Sequence, residues 1–149
     1  MGSAEELKAM SKRQELEPIE RSAEKASALL ADARRSLITC RSIAGKDPKS
    51  ALLLAWDGVA FPTLTAALTL AGYRVTNRMG HHRAAVEAAR QLLPADALLS
   101  RIGSIRRMRD RGMYENESAE LDDVTEALDD CEGLIELVAK AVQRALPVD

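Results

Sequence analysis

Apolar residues recur at helical spacing along most of this chain. Over residues 18–44 they fall on one face of a helix that ends at Gly45, and over residues 47–72 they surround the helix on nearly every side. The first pattern indicates an amphipathic helix, and the second is typical of the central helix of a bundle. Shorter amphipathic stretches follow at residues 83–93, 96–112 and 118–146, separated by glycine, proline or polar turns. The pattern therefore predicts about five helices.

Local signals mark several helix ends. Asp47 and Pro48 predict an N-cap followed by proline at the first helical position. Pro62 predicts a kink, because it removes a backbone donor inside the apolar segment. In the last segment we expect Ser118 to cap a helix that ends before Pro147. The core stripe predicted for the first long helix comprises Ile19, Ala23, Ala26, Leu29, Leu30, Ala33, Leu37, Ile38 and Arg41. The stripe predicted for the last helix comprises Leu121, Val124, Leu128, Cys131, Leu134, Ile135, Val138 and Val142.

Length and composition fit one all-α domain. The chain has 149 residues, of which 46% are hydrophobic and 30% charged, so it has enough apolar surface for a single core. Aromatic residues make up only 3%, while alanine and leucine are abundant, and such side chains suit close-packed helices better than sheet faces. We therefore predict an up-and-down helical bundle without strands. Residues 1–17 form a leading helical segment, and residues 18–149 form a single domain.

Charge and cysteine content limit the functional classes and the cellular compartment that we expect for this protein. A formal net charge of −2 argues against a surface that binds nucleic acid all over, although it leaves room for a local basic patch. Cys40 and Cys131 lack the Cys-x-x-Cys spacing of a metal or redox site, so we expect buried thiols in a reducing compartment and neither metal nor cofactor. Asp57 interrupts the apolar segment, which argues against a membrane span. The N-terminus shows no apolar signal core, and we expect a cytoplasmic protein.

The segment Arg106–Tyr114 concentrates positive charge and is followed at once by an acidic stretch, residues 115–132. Like charges one turn apart destabilise a helix, so these arginines require carboxylate partners or an anionic ligand. Ion pairs with the final helix are the simpler explanation for Arg101, Arg106 and Arg107. The carboxylates available there are Asp122, Asp123, Glu126, Asp129 and Asp130.

Residues 109–114, Arg-Asp-Arg-Gly-Met-Tyr, resemble the signature of the HEPN superfamily, in which an arginine and a polar residue precede a histidine. Arg109 and Asp110 match the first two positions, and Tyr114 occupies the position of the histidine. The order of the elements is also similar to HEPN domains of the actinobacterial type: two long helices, a turn at residues 71–74, a short helix, the motif helix and a terminal helix. The resemblance covers roughly residues 20–145.

The resemblance implies metal-independent RNA cleavage of a toxin or phage-defence type, with two motifs meeting across a homodimer. Arg109 would bind the scissile phosphate, Asp110 would orient the guanidinium of Arg109, and Tyr114 would complete the catalytic set. Tyrosine, with an ordinary pKa near 10, is a weaker proton-transfer group than histidine at neutral pH. The alternative is therefore a non-catalytic HEPN-like module that binds RNA, a nucleotide or a protein partner, or only dimerises. The remaining arginines of the motif helix, predicted to contact nucleic acid, are Arg106, Arg107 and Arg111.

The resemblance also implies an antitoxin or nucleotidyltransferase partner, since some HEPN toxins carry a modified tyrosine near the motif. His81 and His82 lie at a predicted helix start and are interpreted as solvated cap residues, with the alternative that one of them replaces the motif histidine. Asp57, if buried, requires a partner such as arginine. Trp56 is expected in the core. The sequence shows no glycine-rich phosphate loop, nucleophile elbow or zinc-protease motif.

Overall fold

The computed structural model of the protein describes residues 3–146. The fold is an all-α helical bundle with one small two-stranded sheet. The elements in chain order are α1 (Ser3–Lys12), β1 (Leu16–Pro18), α2 (Ala23–Ile43), α3 (Pro48–Leu54), a π-helical turn (Ala55–Ala60), α4 (Phe61–Ala71), β2 (Tyr73–Val75), α5 (His81–Leu92), α6 (Asp96–Tyr114) and α7 (Leu121–Ala145).

A continuous central helix, Pro48–Ala71, is formed by α3, the π-helical turn and α4. As predicted, the carboxylate of Asp47 caps it by accepting a hydrogen bond from the Ser50 N–H, with Pro48 in the first turn. The helix is long and apolar enough to cross a membrane, but its most apolar window is 61% buried within the bundle. Such burial fits the core helix of a soluble protein. Both α2 and α7 pack against it.

The π-helical turn lies where the sequence predicts a kink at Pro62. Pro62 has no N–H to donate to the carbonyl of Gly58, so one α-helical hydrogen bond is lost there. Just before it, the Phe61 N–H donates to the carbonyl of Trp56, five residues back, as in a π-helix. Gly58 permits this turn to approach α2 closely. A Cβ atom at this position would lie 2.7 Å from Leu54 Cδ1 and 2.9 Å from Ser36 Oγ.

The prediction of a helix from residue 18 without strands is wrong at its start. Leu16–Pro18 pairs antiparallel with Tyr73–Val75, with Leu16 opposite Val75. Ser22, whose hydroxyl accepts from the Lys25 N–H, caps α2 five positions later than predicted. A short edge strand tolerates proline because the missing N–H is needed by no neighbour. Leu7 and Met10 of α1 are buried in the same core as the rest of the bundle, and α1 packs against α5.

Several predicted boundaries and faces shift. The N-cap of α7 is Glu120, so Ser118 lies before the helix and does not cap it. The helical pattern predicts Leu121 and Ile38 in the core stripes, but both are exposed, Ile38 by 70%. The other apolar members of the α7 stripe are buried. Pro147, predicted to lie beyond the last helix, falls outside the described residues.

Candidate functional site

Arg109, in the second turn from the end of α6, is the centre of a polar cluster in the bundle wall. Its side chain is nearly buried, with the residue 9% exposed. Nη2 donates to both carboxylate oxygens of Asp57, at 3.0 and 3.3 Å, and Nη1 donates to Asp110 Oδ1 at 3.1 Å. We call Arg109, Asp57 and Asp110 the Arg109 centre. The π-helical turn carries Asp57 and α6 carries the other two members, so the centre joins two helices that are distant in sequence.

The ion pairs of the neighbouring arginines differ from those predicted. Arg101 does pair with α7, through Asp130 at 3.0 Å. Arg106 instead donates to Asp110 Oδ2 at 3.2 Å, one turn away on its own helix. Arg107 donates to the Ser104 hydroxyl and forms no ion pair within residues 3–146. The prediction that α7 neutralises Arg106 and Arg107 is therefore wrong, because Arg106 pairs with a carboxylate of its own helix and Arg107 bonds to a hydroxyl of its own helix.

The Arg109 guanidinium is held in its charged form. Burial on its own would lower the pKa of Arg109, but hydrogen bonds and charges from Asp110 and Asp57, together with the Tyr114 hydroxyl, raise it above its ordinary value. Nε is buried and has no hydrogen-bond partner in the part of the chain that the structure describes. With Arg106 included, two arginines face two carboxylates, so the formal charges of this cluster cancel.

His82 lies beside the Arg109 centre, inside an aromatic cluster. Its Nδ1 accepts a hydrogen bond from the buried indole of Trp56 at 3.1 Å. The ring centroids of Phe61 and His81 lie 4.7 and 4.2 Å from that of His82. Both histidines are partly buried. The interpretation of them as solvated cap residues is therefore wrong, because the start of α5 packs over the aromatic side chains of the central helix.

The hydrogen bond from Trp56 fixes the tautomer of His82. An indole N–H only donates, so Nδ1 must carry the lone pair and the ring proton lies on Nε2. Burial lowers the pKa of His82, as do the positive charges of His81 and Arg109, while the carboxylates of Asp57 and Asp110 act in the opposite direction. The imidazole is therefore neutral at pH 7 and within range of the charges of the Arg109 centre. Trp56 and Asp57 are consecutive residues of the π-helical turn; Trp56 is hydrogen-bonded to His82, and Asp57 is hydrogen-bonded to Arg109.

Tyr114 and the other motif arginines form a different surface. Tyr114 is 76% exposed at the end of α6. It lines a shallow depression with Arg107, Asp110 and Arg111, and both of these arginines are exposed. Arg111 lies 3.4 Å from a carboxylate oxygen of Glu117. The predicted catalytic residues thus divide into a nearly buried arginine, a half-buried aspartate that borders both regions, and an exposed tyrosine.

Among residues 3–146, no group of three or more histidine, cysteine or acidic side chains is arranged to bind a metal ion. Both cysteines are free and buried. Burial raises the pKa of the Cys40 thiol to about 11 and raises the pKa of Cys131 as well. Neither thiol is therefore prepared to act as a nucleophile.

No protein-family model, curated protein or solved structure matches this chain significantly.

Proposed function

We propose that this protein is a HEPN-like module that binds single-stranded RNA through the end of α6 and acts as a homodimer. The observation that carries the proposal is the exposure of Tyr114 in one shallow depression with the exposed side chains of Arg107 and Arg111. A flat aromatic side chain stacks on nucleobases of any sequence, and arginines beside it bind the phosphates of the same strand. This pairing of groups is typical of sequence-tolerant binding to single strands.

The geometry of the Arg109 centre favours binding over catalysis. To grip a phosphate, the guanidinium of Arg109 would have to release Asp57 or Asp110, and these carboxylates repel an anion. In this module Arg109 therefore stabilises the end of α6, and the exposed side chains carry the ligand.

Metal-independent ribonuclease activity of a toxin or phage-defence type is the second candidate, and the position of His82 favours it. In that reaction the ribose 2'-hydroxyl gives its proton to water as its oxygen attacks phosphorus, and the 5'-oxygen takes a proton from water as its bond to phosphorus breaks, giving a 2',3'-cyclic phosphate and a 5'-hydroxyl end. Arg109 would stabilise the charge on phosphorus, and Asp110 would orient the Arg109 guanidinium. His82 would donate a hydrogen bond from Nε2–H to an oxygen of the substrate. The Trp56 hydrogen bond occupies Nδ1, so this imidazole binds an oxygen better than it shuttles protons.

The apolar surface around the motif supports the homodimer. Met113 at the end of α6 and Leu121 at the start of α7 are exposed large apolar side chains close together in sequence. Exposed apolar groups of this kind are common where protein surfaces associate. The exposed Tyr114 hydroxyl would also be accessible to a nucleotidyltransferase, and an antitoxin that covered this surface would block RNA.

The test measures RNA binding and RNA cleavage by the same purified protein, with a chelator present and without added metal. We expect single-stranded RNA to bind, Tyr114→Ala to weaken binding, and Tyr114→Phe to preserve it because the ring remains. Arg34→Ala, on the exposed face of α2, is the control for a lost positive charge. Products with 2',3'-cyclic phosphate ends that disappear with Arg109→Ala would establish the ribonuclease instead. Equal RNA affinity of Tyr114→Ala and the native protein would contradict the binding surface.

A further inference from the structure

A groove of about 360 Å³ is lined in part by Arg106, and it shares no lining residue with the Tyr114 surface. It is bounded by the loop at residues 76–80, the first turn of α5 and the side chain of Arg106 from α6. Three arginines line it, Arg78, Arg83 and Arg106, together with His81. We call this the α5 groove. Its volume falls within the range of small-ligand sites, which begins at roughly 300 Å³.

The α5 groove keeps uncompensated positive charge. Its two lining carboxylates are already paired with arginines outside it: Glu15 with Arg13 at 3.0 Å, and Glu87 with Arg90 at 3.6 Å. Arg78 and Arg83 have no carboxylate within ion-pair distance anywhere in residues 3–146. Two arginines in one concave site without counter-charges indicate an anionic ligand.

The groove is also fixed in shape. Arg78 Nη1 donates to the carbonyl of Arg13 at 3.1 Å, which holds the loop against the end of α1. The His81 ring nitrogen Nδ1 lies 3.1 Å from the carbonyl of Arg78, and its ring packs edge-on against Phe61. Arg78 and the His81 imidazole therefore stand in defined positions before any ligand arrives, which lowers the entropy cost of binding.

We propose that the α5 groove binds the phosphate ester of a nucleotide, with Arg83 and Arg78 on the phosphate and the His81 ring beside the base or sugar. The inference deepens the proposed function, because Arg106 borders both the groove and the Arg109 centre and is bonded to Asp110. A nucleotide in the groove and a base on Tyr114 would belong to one RNA strand that passes over Arg106. A free mononucleotide carries the same phosphate and would enter the same groove.

The experiment measures the affinity of the full chain for three probes: adenosine monophosphate, inorganic phosphate and a single-stranded RNA of about ten nucleotides. We expect Arg83→Gln to weaken binding of the mononucleotide and the RNA roughly fivefold or more, and to reduce the salt dependence of RNA binding by about one phosphate contact. Arg78→Gln should act similarly. Arg34→Gln, which removes the same charge from α2, should leave both affinities unchanged, and circular dichroism confirms that each variant folds.

The outcomes separate this inference from the proposed function. Mononucleotide binding that Arg83→Gln weakens and Tyr114→Ala leaves unchanged supports the groove, even if RNA fails to bind the Tyr114 surface. RNA binding that Tyr114→Ala weakens but Arg83→Gln leaves unchanged overturns the groove and leaves the proposed function intact. Inorganic phosphate that binds as tightly as the mononucleotide would overturn the nucleotide assignment, as would a failure of the native chain to bind adenosine monophosphate saturably.

Discussion

Asp57 and Arg109 lie 52 positions apart in sequence and are joined by hydrogen bonds of 3.0 and 3.3 Å from one guanidinium nitrogen. Arg109 is nearly buried, whereas the side chain of Asp57 is 47% exposed. The pair links the π-helical turn of the central helix to the last turns of α6. Since the arginine is the desolvated partner, it depends on the aspartate more than the aspartate depends on it.

Asp57→Asn should lower the free energy of unfolding by about 1 kcal/mol, which is near the low end for a charge-assisted hydrogen bond. The effect is small because water screens the exposed carboxylate and because Asp110 still binds Arg109. Denaturant unfolding followed by circular dichroism measures the change. Glu136→Gln removes a negative charge from the exposed face of α7 and serves as the control. A loss no larger than that of the control would show that Asp57 does not stabilise Arg109.

Gly58→Ala should destabilise the bundle by about 1–3 kcal/mol, the usual cost of overpacking. The added Cβ would overlap the side chains of Leu54 and Ser36, at 2.7 and 2.9 Å, so these side chains must rotate or the turn must move away from α2. Gly45→Ala is the matched control, because its Cβ meets no atom within 4 Å. Equal unfolding midpoints for the two variants would contradict the close packing of the turn against α2.

Much of the fold follows from the sequence because its helices carry strong local signals. Asp47 and Pro48 cap the central helix, and the buried stripe of α7 repeats at helical spacing. The strand Leu16–Pro18 could not be predicted this way, because its ladder partner lies near residue 74 and three residues carry no detectable period. Ile38 shows a different limit, because its apolar side chain follows the helical pattern but remains exposed.

The candidate site was predictable in part. The motif itself pointed to Arg109 and Asp110, and an aspartate within an apolar helix signalled the need for an arginine partner, which Asp57 finds in Arg109. The prediction of a solvated side chain is wrong for His82 because it relied only on the usual solvation of adjacent histidines at a helix start. The signal that would have found its role is the need of the buried Trp56 N–H for an acceptor, since buried indole groups rarely remain unpaired.

Neither cysteine should react quickly in the folded protein. Burial raises the pKa of Cys40 to about 11, and Cys131 is shielded further, with its thiol 3.6 Å from the carbonyl of Ala55. Because the thiolate is the reactive form, we expect iodoacetamide at about pH 8 to label the native chain only as fast as the chain opens. The same protein in urea is the control and should label completely. Rapid labelling of either thiol in the folded state would contradict this packing.

Acid should destabilise the fold through His82. Its folded pKa lies below the ordinary value of 6.5, so the unfolded chain binds more protons in the window between the two values. The free energy of unfolding should therefore be highest above about pH 6.5 and fall as the pH drops from 6.5 toward the folded pKa of His82. Protonation also breaks the hydrogen bond from Trp56, because Nδ1 then carries a proton.

Trp56 is the only tryptophan of the chain, so its fluorescence reports this event directly. An imidazolium ion quenches a neighbouring indole, and we expect the emission of the folded protein to fall with a midpoint below pH 6.5. His82→Gln should abolish that titration while its side-chain oxygen still accepts a hydrogen bond from the indole N–H. Asp57→Asn removes a negative charge near His82. Since that carboxylate raises the pKa of His82, we expect the variant to move the midpoint to a lower pH. A midpoint above 6.5, or a titration that survives His82→Gln, would mean that another group controls the acid response.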